Sequence, residues 1–249
     1  MRINILLCDT FPGLLPSYIE SYESMFVKLF DKALLSTKSG SSIEYKIFKA
    51  YEGEFPNLEY KKEQELTCGQ IYLISGCNKS AYDEIPWIKS LISWIQIGYK
   101  IGIKMVGICF GHQVISMALG GKVERFKGGW GVGIRSSEIV DAKLMEYLGT
   151  ADLKLLYNHH DQVVSLPQGA KPLAQSSFCR YEGFRIEKTI LTFQGHPEYI
   201  PEYERHLLLN HSENEDAIVK EIALKSLETS EHQGTEIAKF ILYSLFPNL

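Results

Sequence analysis

The chain lacks the features that mark several large protein classes. Its five cysteines are an odd number without CxxC spacing, which fits neither a disulfide framework nor a thiolate zinc site. No apolar run approaches the roughly 20 residues of a membrane span, and the apolar start is too short for a secretion signal. The formal net charge of −4 does not provide the dense basic surface that phosphate contacts require. We therefore expect a cytoplasmic protein that binds neither nucleic acid nor membranes, in which the free thiols are Cys8, Cys68, Cys77, Cys109 and Cys179.

What the sequence does contain is an ordinary globular composition, 45% hydrophobic and 22% charged, with a regular order of elements. Short apolar runs predict strands at residues 3–8, 43–48, 71–75 and 105–108. Apolar residues at helical spacing predict helices at residues 18–35, 85–99 and 113–119. The polar residues 50–69 predict a long surface loop. Alternating strands and helices are typical of an α/β fold with a mostly parallel sheet flanked by helices.

The pattern changes after residue 121. Short β-like runs separated by Gly, Pro and Asn turns predict added antiparallel strands at one edge of the sheet. These runs are residues 122–126, 132–140, 154–157, 163–166, 173–175, 183–186 and 190–194. Residues 201–249 have a helical composition and end in an apolar stripe that predicts core packing. Without a repeat or linker, the simplest interpretation is one domain over residues 1–249, with a C-terminal helical extension at about 201–249.

One predicted strand runs directly into a helix through a Gly-x-Cys-x-Gly sequence centred on Cys109. This is the nucleophile-elbow pattern with cysteine in place of serine. Such a sharp turn strains the backbone of its central residue and leaves no room for side chains at Gly107 and Gly111. The free N–H groups and dipole of the helix start favour the nucleophilic thiolate. The alternative is that Cys109 is an ordinary buried residue, as free cysteines usually are.

A histidine and a carboxylate follow the last predicted strand, in His196-Pro197-Glu198. A cysteine nucleophile needs an imidazole to take its proton and a carboxylate to orient that imidazole. Residues two apart in a strand point the same way, so Glu198 would reach the ring nitrogen that faces away from the sulfur. The alternative is a surface histidine and glutamate in a loop.

The remaining histidines are weaker candidates. His159 and His160 are adjacent, so in a strand they point to opposite faces and are poorly placed to share a metal ion. We expect a structural or substrate-loop role for them, and no metal or organic cofactor. Surface positions are expected for His206, His211 and His232.

Taken together, these segments resemble the class I, triad-type glutamine amidotransferase family. Residues 107–113 and 194–198 match its nucleophile and His-Pro-Glu motifs. Residues 73–77 and 158–161 stand where the family has its oxyanion loop and its Asn/Ser-His-x-Asp segment. The resemblance spans roughly residues 1–200 and implies a flavodoxin-like α/β fold.

The resemblance also implies roles for individual residues. Cys109 would be the nucleophile, His196 the general acid–base and Glu198 the residue that orients it. The oxyanion donors would be the N–H of Phe110 and one from Gly76 or Cys77, while Gln113 and the segment containing His159 would hold the substrate. The implied reaction is thiolate attack on a γ-glutamyl amide, release of ammonia or an amine, and hydrolysis of a γ-glutamyl thioester. Cys77 departs from the usual small residue of the family and suggests, as a hypothesis, a reversible disulfide with Cys109.

Three functions remain open at this stage. The chain could hydrolyse glutamine and pass ammonia to a separate synthetase subunit, because residues 201–249 are too few for a synthetase domain. It could instead be a γ-glutamyl peptidase acting on glutathione-type compounds, with the loop around Trp130 shaping the leaving-group site. The third possibility is a catalytically inactive regulatory member of the family.

Overall fold

A nine-stranded mixed sheet forms the centre of the fold within the described residues. The computed structural model describes residues 1–11, 13–37, 40–58, 69–210 and 216–246. Residues 59–68, which are half of the predicted 50–69 loop and include Cys68, lie outside these ranges, as does His211. The strands are β1 (Arg2–Leu7), β2 (Glu44–Lys49), β3 (Gln70–Ile74), β4 (Met105–Ile108), β5 (Lys122–Arg125), β6 (Gly131–Ile139), β7 (Asp152–His159), β8 (Asp161–Ser165), β9 (Lys171–Gln175), β10 (Gly183–Ile186) and β11 (Ile190–Phe193).

The helices cover both faces of this sheet. Within the described residues they are α1 (Tyr22–Leu35), α2 (Pro86–Lys100), α3 (Phe110–Ala118), α4 (Ala142–Leu148), α5 (Pro201–Asn210), α6 (Ala217–Thr229) and α7 (Gly234–Leu245), with one 3₁₀ turn at Ala50–Glu52. No helix in these ranges combines the length and apolarity that crossing a bilayer requires.

The sheet order confirms the predicted fold class. The order is β2-β1-β3-β4-β11-β10-β9-β6-β7, with β5 and β8 pairing separately. The first five strands run parallel to their neighbours. The other four extend the sheet through antiparallel pairs. The carboxyl ends of β3, β4 and β11 therefore meet at one edge, which is where parallel sheets commonly bind ligands.

Hydrophobic cores lie on both faces of the sheet, and β1 contributes to each. Ile3, Ile5 and Leu7 are buried in the core that contains α1 and α7. Leu6 is buried on the other side with α2 and α3. This alternation follows from the two-residue period of a strand. The C-terminal apolar stripe is buried in the first core, as predicted.

The structure differs from the sequence prediction at three helices: two begin at a different residue and one was not predicted. Helix α1 begins at Tyr22 rather than at residue 18, because Ser21 forms a capping box with Ser24 and ends the preceding loop. Helix α3 begins at Phe110 rather than at residue 113, so Cys109 is its N-cap. Helix α4 was not predicted; its short length gives little periodicity, although Asp141 caps its first turn. The single domain over residues 1–249 stays a prediction.

The turn between β4 and α3 provides a direct test of the packing. A Cβ atom on Gly111 would lie 2.1 Å from the carbonyl oxygen of Ile74, which is backbone and cannot rotate away. We expect Gly111→Ala to lower the free energy of unfolding by about 3 kcal/mol or more, because overpacking must displace β3 or α3. Urea denaturation measures this loss.

The matched control is Gly120→Ala at the end of the same helix. Gly120 has a φ of 93° but nothing within 4 Å of its Cβ position. Only backbone strain of roughly 1–2 kcal/mol is expected there. If the two variants lost the same free energy of unfolding, steric contact with β3 would not be the reason for glycine at position 111.

Candidate active site

Cys109 occupies a strained turn between β4 and α3. Its φ of 51° and ψ of −104° lie outside the helix and strand regions, and its N–H donates to the carbonyl of Phe193 at 2.9 Å. Gly107 and Gly111 allow this turn: a Cβ on Gly107 would lie 2.6 Å from the backbone of Gly111. The side chain of Cys109 is only 6% exposed, but it lines a cavity of about 220 Å³. Cys109 is therefore almost fully buried but borders this cavity.

His196 and Glu198 form a close, buried pair beside that cavity. His196 Nδ1 and Glu198 Oε1 are 2.7 Å apart. The two residues do not continue β11, as the sequence prediction assumed: the strand ends at Phe193 and residues 197–198 bend. The backbone of His196 is held instead by a hydrogen bond from its N–H to the carbonyl of Leu156 at 2.7 Å. The predicted contact therefore forms through a bend that is anchored on β7.

The charge state of His196 is controlled by its two neighbours. Burial lowers the pKa of His196, but the charges of Glu198 and Cys109 outweigh burial and raise the pKa to about 10. An imidazolium is therefore favoured at neutral pH. Among the described residues, no group lies within hydrogen-bond geometry of the other ring nitrogen, Nε2, although Cys109 is close enough to raise the ring's pKa. Long proton-transfer contacts are common in the absence of substrate.

Aromatic packing fixes the plane of the His196 ring. Tyr199 stacks on it with a centroid distance of 3.9 Å and an interplanar angle of 17°. Tyr203 in turn contacts Tyr199 edge to face at 4.8 Å. All three rings are buried, so the orientation of the imidazole depends on packing as well as on Glu198.

Two glutamines form a hydrogen-bond chain that ends at the sulfur. Gln194 Nε2 donates to Cys109 Sγ at 3.5 Å. Gln113 Nε2 donates to Gln194 Oε1 at 3.1 Å and to the carbonyl of Asp161 at 2.8 Å. Both N–H bonds of Gln113 are therefore used inside the protein. Only its Oε1 remains to contact a molecule in the cavity.

The loop after β3, residues 76–78, lies against the same site. Gly76 N–H donates to the hydroxyl of Tyr22 at 3.2 Å, and Asn78 N–H donates to Asp9 Oδ2 at 3.1 Å. Between them, the N–H of Cys77 has no hydrogen-bond acceptor among the described residues. The loop is therefore fixed at both ends and leaves one backbone donor free. We call residues 76–78 the β3 loop.

A Cβ atom on Gly76 would lie 3.0 Å from His196 Cε1 and 3.8 Å from the Cβ of Cys109. The β3 loop is thus brought next to both residues, and only glycine fits at this position. Cys77 lines the cavity with Cys109, and both are free thiols. The Cys77 thiol donates to Asp9 Oδ2 at 3.8 Å, and burial raises its pKa. Its disulfide with Cys109 stays a hypothesis.

The opposite wall of the cavity is formed by the end of β7 and its neighbours. His159 lines it, with both ring nitrogens buried and unpartnered. Burial lowers the pKa of His159 well below its usual value, so its ring is neutral at physiological pH. Trp130 also lines the cavity and packs edge to face on His160 at 4.5 Å. In the described part of the chain, no three His, Cys, Asp or Glu side chains are grouped so that they could hold a metal ion.

Sequence reasoning missed Tyr22, Asp9 and Tyr199 as parts of this site. Gln194 lay inside a quoted motif, but its contact with the sulfur was not anticipated. The sequence around Tyr22 indicates only an apolar position in a helix. Its role in the site could not be predicted, because its partners are 54 and 176 residues away.

Comparisons with known proteins identify the family of the chain. A sequence model described as glutamine amidotransferase class-I matches residues 32–214. Gamma-glutamyl peptidase 3 of Arabidopsis thaliana is 33% identical over 73% of this chain and 75% of its own length. A glutamine amidotransferase-like protein of Schizosaccharomyces pombe is 30% identical over 97% of this chain and 98% of its own length.

Among solved structures, a glutamine amidotransferase of Thermotoga maritima has the same fold. Its TM-score is 0.67 at 21% identity, covering 98% of this chain and 96% of that one. The chain therefore belongs to the class-I glutamine amidotransferase family.

Proposed function

We propose that this chain hydrolyses the γ-glutamyl amide of glutamine through a Cys109–His196–Glu198 triad. The observation that carries the proposal is the meeting of a strained cysteine, a buried imidazole and its carboxylate at one cavity. The pKa of His196, raised to about 10 by Glu198 and Cys109, supports a thiolate–imidazolium pair. Such a pair supplies both the nucleophile and the proton that the leaving group requires.

The reaction begins when the Cys109 thiolate forms a bond to the γ-carbonyl carbon. The negative charge moves to the carbonyl oxygen, where the N–H of Cys77 and the N–H of Phe110 would receive it. Phe110 is the first residue of α3, so its N–H has no acceptor within the helix. Each such donor contributes about 3 kcal/mol to the stability of the transition state.

His196 then transfers a proton from Nε2 to the leaving nitrogen, and the carbon–nitrogen bond breaks. Ammonia or an amine departs and a γ-glutamyl thioester remains on Cys109. Neutral His196 next takes a proton from water, and the resulting hydroxide attacks the thioester. Glutamate leaves, and the thiolate–imidazolium pair is restored. Glu198 stays ionised and holds the ring through Nδ1.

A γ-glutamyl peptide is the second candidate substrate. The chemistry on the glutamyl carbonyl is the same, and only the leaving amine differs. The similarity to gamma-glutamyl peptidase 3 over three quarters of that protein supports this substrate. Trp130, at the wall of the cavity, would contact the part of a peptide beyond the scissile bond.

Parallel assays with glutamine, glutathione and a γ-glutamyl dipeptide separate these substrates. We expect glutamate release from at least one of them, with no detectable release by Cys109→Ala. Glutaminase activity that appears only with a separate ammonia-using synthetase subunit would assign the chain to an amidotransferase complex. Release from the peptides alone would identify a peptidase. No release from any of the three would leave the regulatory alternative.

Removal of the Glu198 charge gives a second test. The carboxylate raises the pKa of His196, so Glu198→Gln should lower that pKa. The imidazolium would then lose its proton at a lower pH than in the parent protein. We expect kcat to fall by about 10³- to 10⁴-fold, as for other triads that lose the charge of their carboxylate. NMR titration of the His196 ring measures the pKa, and steady-state assays measure kcat.

Glu182→Gln is the matched control. Glu182 is also buried and accepts a hydrogen bond from Ser176 at 2.7 Å, but it does not line the cavity. This variant should leave the His196 titration unchanged. A His196 pKa that is the same in Glu198→Gln and the parent protein would contradict the assigned role of Glu198.

A further inference from the structure

The hydroxyl of Tyr22 joins two parts of the active site that are far apart in sequence. It donates a hydrogen bond to Glu198 Oε1 at 2.9 Å. It also accepts one from the N–H of Gly76 at 3.2 Å. A phenolic hydroxyl can serve as donor and acceptor at the same time. One buried atom therefore connects the carboxylate after β11 with the β3 loop.

The position of this hydroxyl is fixed by the start of α1. Tyr22 is the first residue of the helix, directly after the Ser21 cap. Its ring packs edge to face on Phe11 at 4.7 Å and on Phe26 at 5.4 Å. Because both neighbours are buried, the ring has no room to rotate its hydroxyl away from Glu198.

This contact determines which oxygen Glu198 presents to the imidazole. Oε1 receives both Tyr22 and His196 Nδ1, whereas Oε2 is buried without a hydrogen-bond partner. The two contacts on Oε1 hold the carboxylate in a single orientation. Without the hydroxyl, rotation would exchange the two oxygens and loosen the His196 ring.

The same contact determines which backbone donor the β3 loop can offer. Tyr22 accepts a hydrogen bond from the N–H of Gly76, and Asp9 accepts one from the N–H of Asn78. Within the described residues, the N–H of Cys77 is therefore the loop donor without an acceptor. A Cβ on Gly76 would lie 2.8 Å from the Tyr22 hydroxyl. The loop must approach this hydroxyl closely, and only glycine permits that distance.

We propose that Tyr22 is a positioning residue that fixes Glu198 and the β3 loop relative to each other. The inference rests on the proposed function, since it assigns Tyr22 to the hydrolysis carried out at Cys109. The hydrogen bonds of the Tyr22 hydroxyl go to Glu198 and Gly76, and Tyr22 is not among the described residues that line the cavity. Its effect passes through the imidazole on one side and through the Cys77 N–H on the other.

Several ionisable groups surround this hydroxyl and its partners. Burial and the Glu198 carboxylate raise the pKa of Tyr22 well above its usual value, so the phenol stays a neutral donor across the working pH range. The other titratable groups facing this cluster are Cys109, His159, His196, Tyr199, Tyr203, Asp9 and Glu204.

Tyr22→Phe removes the hydroxyl and keeps the ring. We expect kcat to fall about 10- to 100-fold, the effect of losing a hydrogen bond to a charged group, with KM within about twofold of the parent. The unshielded Glu198 charge would attract the His196 imidazolium more strongly. The decline of kcat on the alkaline side of its pH profile should therefore occur at a pH that is higher by roughly half a unit. A purely structural role for Tyr22 would not move this alkaline decline.

Tyr45→Phe is the matched control, a tyrosine of β2 that packs on the same helix. The Tyr45 hydroxyl donates to the carboxylate of Asp31 in α1 at 2.8 Å, away from the cavity. It should match the parent in kcat and in the pH profile. The assay uses glutamine or glutathione, whichever the parent protein hydrolyses. A parent that hydrolyses neither would remove the proposed function itself, whereas an active parent with equal effects in both variants would overturn the role of Tyr22 alone.

Replacement of Tyr22 by 3-fluorotyrosine covers the case in which Tyr22→Phe does not fold. The fluorinated hydroxyl is a stronger donor and keeps both hydrogen bonds. We expect kcat to remain within about threefold of the parent and the alkaline decline of kcat to occur at a lower pH, opposite to the shift in Tyr22→Phe. An unshifted alkaline decline would contradict the proposal.

Discussion

The candidate active site depends on one backbone turn that places a cysteine between a strand and a helix. At Cys109 the chain changes direction with a φ of 51°, and the adjoining backbone approaches so closely that positions 107 and 111 have no space for a Cβ atom. The turn makes Cys109 the N-cap of α3. The other groups of the site lie around this cysteine, whose backbone position is set by the packing of the turn.

The surrounding groups come from separate elements that the parallel sheet brings to one edge. The carboxyl ends of β3 and β11 lie on either side of β4, so the β3 loop, Cys109 and His196 become neighbours without any local sequence relation. Helix α1 adds Tyr22 from outside the sheet. Tyr22, Gly76 and Glu198 come from three separate segments of the chain and meet at one hydroxyl, which makes the geometry a property of the whole fold.

The sequence was informative where function imposes local backbone geometry. The glycines around Cys109 and the spacing of His196 and Glu198 can be interpreted from residue types alone, and the strand–helix alternation predicted the sheet. It was less informative where the partner is distant. Tyr22 looks like any apolar residue of a helix, and Gln194 looks like the end of a strand. The helix start at Phe110 was missed because strand and helix share the apolar run without a polar cap between them.

The central claim is that Cys109 forms a γ-glutamyl thioester. Mass spectrometry of protein quenched in acid during turnover of a γ-glutamyl substrate measures this adduct directly. The account predicts a mass increase of one γ-glutamyl group, mapped to the peptide that contains Cys109 and absent from Cys109→Ala. Turnover without an adduct in the parent protein, or an adduct that maps to Cys77, would contradict it.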